Sequence, residues 1–235
     1  GHYHPLADSV NILRTFSVGV KDDLRVVGKD VSFRFIDEKK ELELSSESAE
    51  FTFSSTKFGN TLNFAGVISS GSSKFPVDVD LIQRAEVPGY ELEMLFQDLN
   101  PMTLIALNGD STAEWLSGIE TRVSGSLDAV IRSDGSLETG SILFEAGVGK
   151  VRLAKVFQDS IRFSSGKIHI SFDPKKNHWV LDSGNITTME GSRFSFSNSI
   201  NYDFVEAPFE GVLKFDKMTV GELVKYWPKV LESSV

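Results

Sequence analysis

The chain has 235 residues, 40% hydrophobic and 24% charged, with 24 Lys plus Arg against 33 Asp plus Glu and a formal charge of -9. This length suits one large domain or two small ones, and the acidity argues against nucleic acid and against anionic headgroups held by a basic patch. Cysteine is absent, which excludes disulfides, thiolate chemistry and sulfur-ligated zinc, and no apolar run reaches the roughly 18 residues of a membrane-spanning helix.

Residues 1–9 open with Gly1-His2-Tyr3-His4-Pro5 and lack an apolar signal core, so they read as a flexible start or an appended remnant. Residues 10–99 read as a first β segment. Val31, Phe33 and Phe35 alternate with Ser32 and Arg34, and Phe51 and Phe53 bracket Thr52. Leu62 and Phe64 follow, then Phe75, Val77, Val79 and Leu81 with Asp78 and Asp80 between them, then Leu92, Met94 and Phe96. A period of two places alternate side chains on opposite faces, one apolar and one wet.

Residues 100–235 form a second β segment, or continue the first as one sheet. Asn100-Pro101 predicts a capped helix start over 100–107, since Pro fits the first helical position. Val123 to Ile131 reads as a long strand, turned back at Asp134-Gly135 into Leu137, because Asp-Gly favours a hairpin. Further strands are expected at 142–148, 168–172, 178–181, 194–196 and 212–215. Thr219 with Glu222 three residues on predicts a capping box for a second short helix reaching Trp227. Many strands with almost no helix exclude a doubly wound fold. A sandwich, a barrel and one long curled sheet all fit the periodicity.

Motifs that carry chemistry are scarce. There is no G-x-S-x-G, P-loop, G-x-G-x-x-G or H-E-x-x-H, and Gly147-Val148-Gly149-Lys150 lacks the Ser/Thr and leading Gly of a phosphate loop. Asn185-Ile186-Thr187 is formally a glycosylation sequon, a triplet that is frequent by chance. Carboxylate pairs such as Asp78 with Asp80 and Glu91 with Glu93 keep an outer sheet face soluble. His169 and His178 flank the turn at Asp173-Pro174, where Asp173 and Asp182 could complete a metal or acid–base set. His169 lies between Ile168 and Ile170, however, which puts it on the polar face. The expectation is therefore no enzyme, no catalytic residue, no metal and no cofactor. The remote enzymatic alternative requires a compact polar pocket joining the histidines to carboxylates.

Three stretches carry a resemblance. Leu116 to Asp128, followed by Asp134-Gly135-Ser136-Leu137, resembles the repeated unit of AsmA-like proteins: a short helix, a Val-Ser-Gly strand and an Asp-Gly turn. Ala146 to Val151 is similar to the Gly-x-Gly strand that follows there, and Val220 to Pro228 looks like the Tyr-Trp-Pro helix of the large YhdP-type members. The family's usual continuation, a basic residue and a further Trp, is replaced here by Leu231 to Val235. The motifs are short, and the resemblance covers 100–235 best.

What the resemblance implies is a long curled antiparallel sheet (a taco-like β-groove) with two short helices. It further implies a periplasmic segment of an inner-membrane-anchored protein of Gram-negative envelopes. Phospholipid acyl chains would lie in the groove for transport between membranes, and neighbouring segments of the same longer chain would be partners. Alternation supplies candidate lining residues: Phe33, Phe35, Phe51, Phe53, Leu62, Phe64, Val77, Val79, Val123, Leu127, Ile168, Ile170, Phe172, Phe194 and Phe196. The alternative is a structural or protein-binding β module of the envelope without a lipid ligand.

Overall fold

The computed structural model describes residues 23–37, 42–86, 88–103, 118–152, 159–175, 178–200 and 212–225. They form one antiparallel sheet of 13 strands, long, curled and not closed into a barrel. The first half comprises β1 (Leu24–Asp37), β2 (Leu42–Thr56), β3 (Gly59–Ser70), β4 (Ser73–Arg84) and β5 (Tyr90–Leu99). The second comprises β6 (Ile119–Glu120), β7 (Val123–Ile131), β8 (Leu137–Ala146), β9 (Gly149–Val151), β10 (Ile161–Asp173), β11 (His178–Thr188), β12 (Arg193–Ile200) and β13 (Val212–Asp216).

The spatial order follows the chain, β1-β2-β3-β4-β5-β7-β8-β10-β11-β12-β13, with the short β6 and β9 paired beside β10. β5 pairs directly with β7, from Tyr90↔Ile131 to Leu99↔Val123, so the sheet runs unbroken across the interval between the two expected segments.

The register shows why alternation specifies this sheet. Directly opposed residues share a face, and one row runs Phe51, Phe64, Val79, Met94, Leu127, Ile142, Ile170 from β2 to β10. A second runs Leu99, Val123, Ala146, Gly166, Ile186, Phe194, Phe215 from β5 to β13. A slip of one residue would turn a strand's apolar set to water, so the pattern fixes the pairing. Buried clusters form along this face around Phe53, Leu81, Tyr90 and Ile131, around Phe75, Val77, Phe96 and Val123, and around Val151, Ile161, Phe163 and Phe194. The opposite face is wet, with bidentate Arg34–Glu43 and Arg84–Glu91 pairs across neighbouring strands.

Local signals act as expected. At the β7–β8 turn, Gly135 takes a positive φ of 86° and the Asp134 carboxylate accepts bonds from the Ser136 N–H and Oγ–H. The Ser136 hydroxyl is the main reason that the Asp134 carboxyl is held below the usual range, with the Ser136 N–H next. A helical turn at 101–103 starts with Asn100 Oδ1 accepting from the Met102 N–H. The rest of the expected 100–107 helix lies outside the described residues. Helix α1 (Val220–Lys225) carries its capping box: Glu222 Oε2 accepts from the Thr219 N–H at 3.0 Å, and Thr219 Oγ1 accepts from the Glu222 N–H at 3.3 Å. The Ser192 hydroxyl also donates to Glu222, which ties the helix to the β11–β12 turn. Tyr226 to Pro228 and Leu116–Ser117 of the resembling motifs lie outside the described residues.

Candidate functional site: the apolar face and its two ends

The candidate lining residues fall on the apolar face, in unequal environments. Phe53, Val77, Val123, Ile170 and Phe194 are buried. Phe51, Leu62, Phe64, Val79, Leu127, Ile168 and Phe172 are half-buried. Phe33 is half-buried and meets Phe64 edge-on, with ring centroids 5.7 Å apart. Phe35 lies opposite Leu44 near the end of β1 and is 48% exposed. Phe196 occupies the register position opposite Gly184, and its side chain lies outside the described residues.

Over β7–β11 this face opens into a small cavity of about 70 Å³ lined by apolar residues alone. Pro101 and Ile119 meet Phe144, Phe163, Ile168 and Ile186 around it. Phe144, Phe163 and Ile186 do not stand among the alternation-based candidates. The period-two spacing of Phe144 with Ile142 and Ala146 could have found the first. Gly166 contributes by having no side chain: a Cβ there would come no closer than 3.8 Å to any neighbour, so the space above it is real.

The helical turn at 101–103 contributes to the lining of both this cavity and a polar one. Pro101 faces the apolar side, while Asn100, Met102 and Thr103 line an open recess of about 560 Å³ with Glu43, Ser45 and the Ser69–Ser73 turn. Hydroxyls dominate that recess.

The possible histidine–carboxylate set at the β10–β11 hairpin is met only in part. Asp173↔His178 closes the β10–β11 hairpin, and His169 sits opposite Ser183, so the two histidine positions lie roughly 13 Å apart along the strands. The hairpin does not bring them together. Asp173 instead accepts from the Lys175 N–H within its turn. Asp182 does reach His169, Oδ2 to Nδ1 at 3.1 Å, and Ser141 Oγ lies 2.8 Å from His169 Nε2. Among the described residues no group of three His, Asp or Glu side chains could hold a metal ion. No helix among the described residues is long and apolar enough to cross a membrane.

No family model matches this chain, and searches of curated proteins and solved structures return no match either.

Proposed function

We propose that this chain is a lipid-binding segment of a large AsmA-like envelope protein, and that its apolar face holds phospholipid acyl chains during transport between inner and outer membranes. In this reading it works in the periplasm, as part of a protein anchored in the inner membrane, with neighbouring segments of that longer chain beside it. The observation that carries the reading is the continuity of the apolar rows from β2 to β13, ending over β7–β11 in a cavity lined by apolar residues alone. Each methylene removed from water contributes roughly 0.8 kcal/mol. At about 70 Å³ the cavity admits only a few methylenes, so it serves as a foothold, and the rest of the chain lies along the half-buried strip of Leu127 and Ile168. The hydroxyl-rich recess beside Asn100 receives the headgroup. Binding and release move the lipid, with no covalent step at this face.

The test is native mass spectrometry with lipid extraction. Wild-type protein incubated with phospholipid vesicles should carry lipid, and Ile168→Asp and Leu127→Asp should lose it while keeping the β-type circular dichroism spectrum. These half-buried positions serve better than Phe53, whose buried ring holds the core together. A wild-type protein that stays free of lipid would refute the reading, as would Asp variants that bind it undiminished.

A further inference from the structure

The wet face carries a constellation that the lipid reading does not use. Ser141 on β8, His169 on β10 and Asp182 on β11 stand on three adjacent strands, with Oγ···Nε2 at 2.8 Å and Nδ1···Oδ2 at 3.1 Å. The hydrogen positions follow from the partners. A carboxylate only accepts, so His169 Nδ1 carries the hydrogen given to Asp182; in the neutral ring Nε2 is then the acceptor, and the Ser141 hydroxyl donates to it. Asp182 is held in turn by the Ser171 hydroxyl, which donates to Oδ1 at 2.9 Å. This is the order of nucleophile, base and orienting carboxylate that activates a serine.

A second observation is independent of those distances. Regular pairing would not put Asp182 beside His169. The register of β10 with β11 shifts between His169↔Ser183 and Ile170↔Leu181, leaving Asp182 as the extra residue of a bulge. Bulges re-aim side chains, and they are over-represented beside active sites. Here the bulge turns the carboxylate onto the face of His169 and Ser171. The side chains of His169 and Asp182 remain 42% and 34% exposed, so the group is open to a reagent from solvent.

We propose that Ser141 is an activated hydroxyl that accepts an acyl group from a neutral or cationic ester. Ser141 Oγ attacks the carbonyl carbon while its proton passes to His169 Nε2. The tetrahedral adduct then collapses, the bond to the leaving alkoxide breaks, and the alcohol departs with the proton from Nε2. Ser141 is left as an ester, and water can release the acid by the same route. The charge preference comes from Asp128, directly opposite Ser141 on β7, which repels an anionic substrate. Leu143, opposite His169 and half-buried on the same face, offers the acyl group an apolar contact. The backbone of Ser141 lies in the ladder between Asp128 and Ser171, which leaves no free amide to hold an oxyanion. A missing oxyanion donor costs about 100- to 1,000-fold in rate. The site should therefore take activated acyl donors and deacylate slowly.

The experiment treats the purified chain with a fluorophosphonate probe, whose phosphorus bonds to the attacking serine oxygen as fluoride leaves to solvent, and maps the adduct by peptide mass spectrometry. The expected result is an adduct on Ser141, abolished in Ser141→Ala and slowed by about 100-fold or more in His169→Gln. Asp182→Asn should slow it too, by favouring the wrong ring tautomer. p-Nitrophenyl acetate should give a stoichiometric burst followed by slow turnover. All three side chains are at least partly exposed, and circular dichroism verifies that each variant folds. No adduct on Ser141 in the folded wild type would overturn the proposal. So would labelling at an unchanged rate in folded His169→Gln, or labelling of Ser141 no faster than of other exposed serines.

Discussion

The two halves of the sheet share one backbone plan and differ in what lies over their glycines. In β1–β5 the notches are filled. A Cβ on Gly28 would sit 2.2 Å from the Phe51 ring, and one on Gly66 would meet Ala49 and Phe64 at 3.0 and 3.3 Å. In β7–β11 the same kind of notch has two outcomes. Gly125 is closed, with the Leu143 carbonyl oxygen at 1.8 Å and the Phe96 ring at 2.9 Å from its would-be Cβ. Gly166 stays open, and the apolar cavity forms there. The polar faces differ as well: both halves carry cross-strand ion pairs, and β8, β10 and β11 add the Ser141–His169–Asp182 group. An apolar-face glycine is thus a receptacle for a neighbour's ring or a vacancy, and the cross-strand partner decides which.

The largest expected effect tests whether the halves unfold together. Phe53→Ala and Phe194→Ala each delete a buried ring, one from each half, and each should cost about 3–5 kcal/mol. Because β5 and β7 pair along their length, both variants should shift one common urea transition. A two-step curve in which each variant moves only its own step would separate the halves. Gly125→Ala comes next. Its Cβ meets a carbonyl held in the ladder, and overpacking of this kind costs about 3 kcal/mol, read as a lower denaturant midpoint.

Gly166→Ala should go the other way. Its Cβ has room, and replacing a strand glycine by alanine should raise stability by about 0.5–1 kcal/mol. The same methyl enters the cavity, so lipid retention in the mass spectrometric assay should fall. A stabilised variant with undiminished lipid retention would detach the cavity from the proposed function.

The smallest effect concerns pH. The Glu91 carboxyl is held below its usual range chiefly by its hydrogen bonds from Arg84, and Glu43 is held likewise by Arg34. A carboxyl with a lowered folded-state pKa contributes stability above its unfolded value and loses it as pH falls through the folded one. Both pairs are exposed, so the contribution is slight and salt-sensitive. Glu91→Gln should leave a slightly shallower acid-side decline in thermal midpoint, and 1 M salt should erase the difference from wild type.

Much of the fold was legible because its rules are local. Alternation at Phe75, Val77, Val79 and Leu81 needs no partner to declare a half-buried strand, and Asp134-Gly135 and Thr219-x-x-Glu222 act over a few residues. What escaped was set by pairing. Ser141 sits in a plain stretch of β8, and only the β8–β10 register brings it under His169. The sequence offers Asp182 as a partner for His169, but its orientation toward that ring comes from a bulge that no residue of Leu181-Asp182-Ser183 announces. The cavity escaped for the same reason, since Gly166 becomes a vacancy only once Ala146 and Ile186 are its flanking neighbours.

The sequential order of the long strands has a mechanical consequence. Each long strand is held mainly by the strands before and after it in the chain, so force applied to the two ends meets the ladder one hairpin at a time. Bonds loaded singly yield at low force, whereas a sandwich whose terminal strands are clamped side by side must shear many at once. The same order shortens the loops closed at each folding step, which lowers the entropic barrier relative to a Greek-key sheet of this size. In an optical trap the molecule should lengthen through a ladder of small, reversible steps.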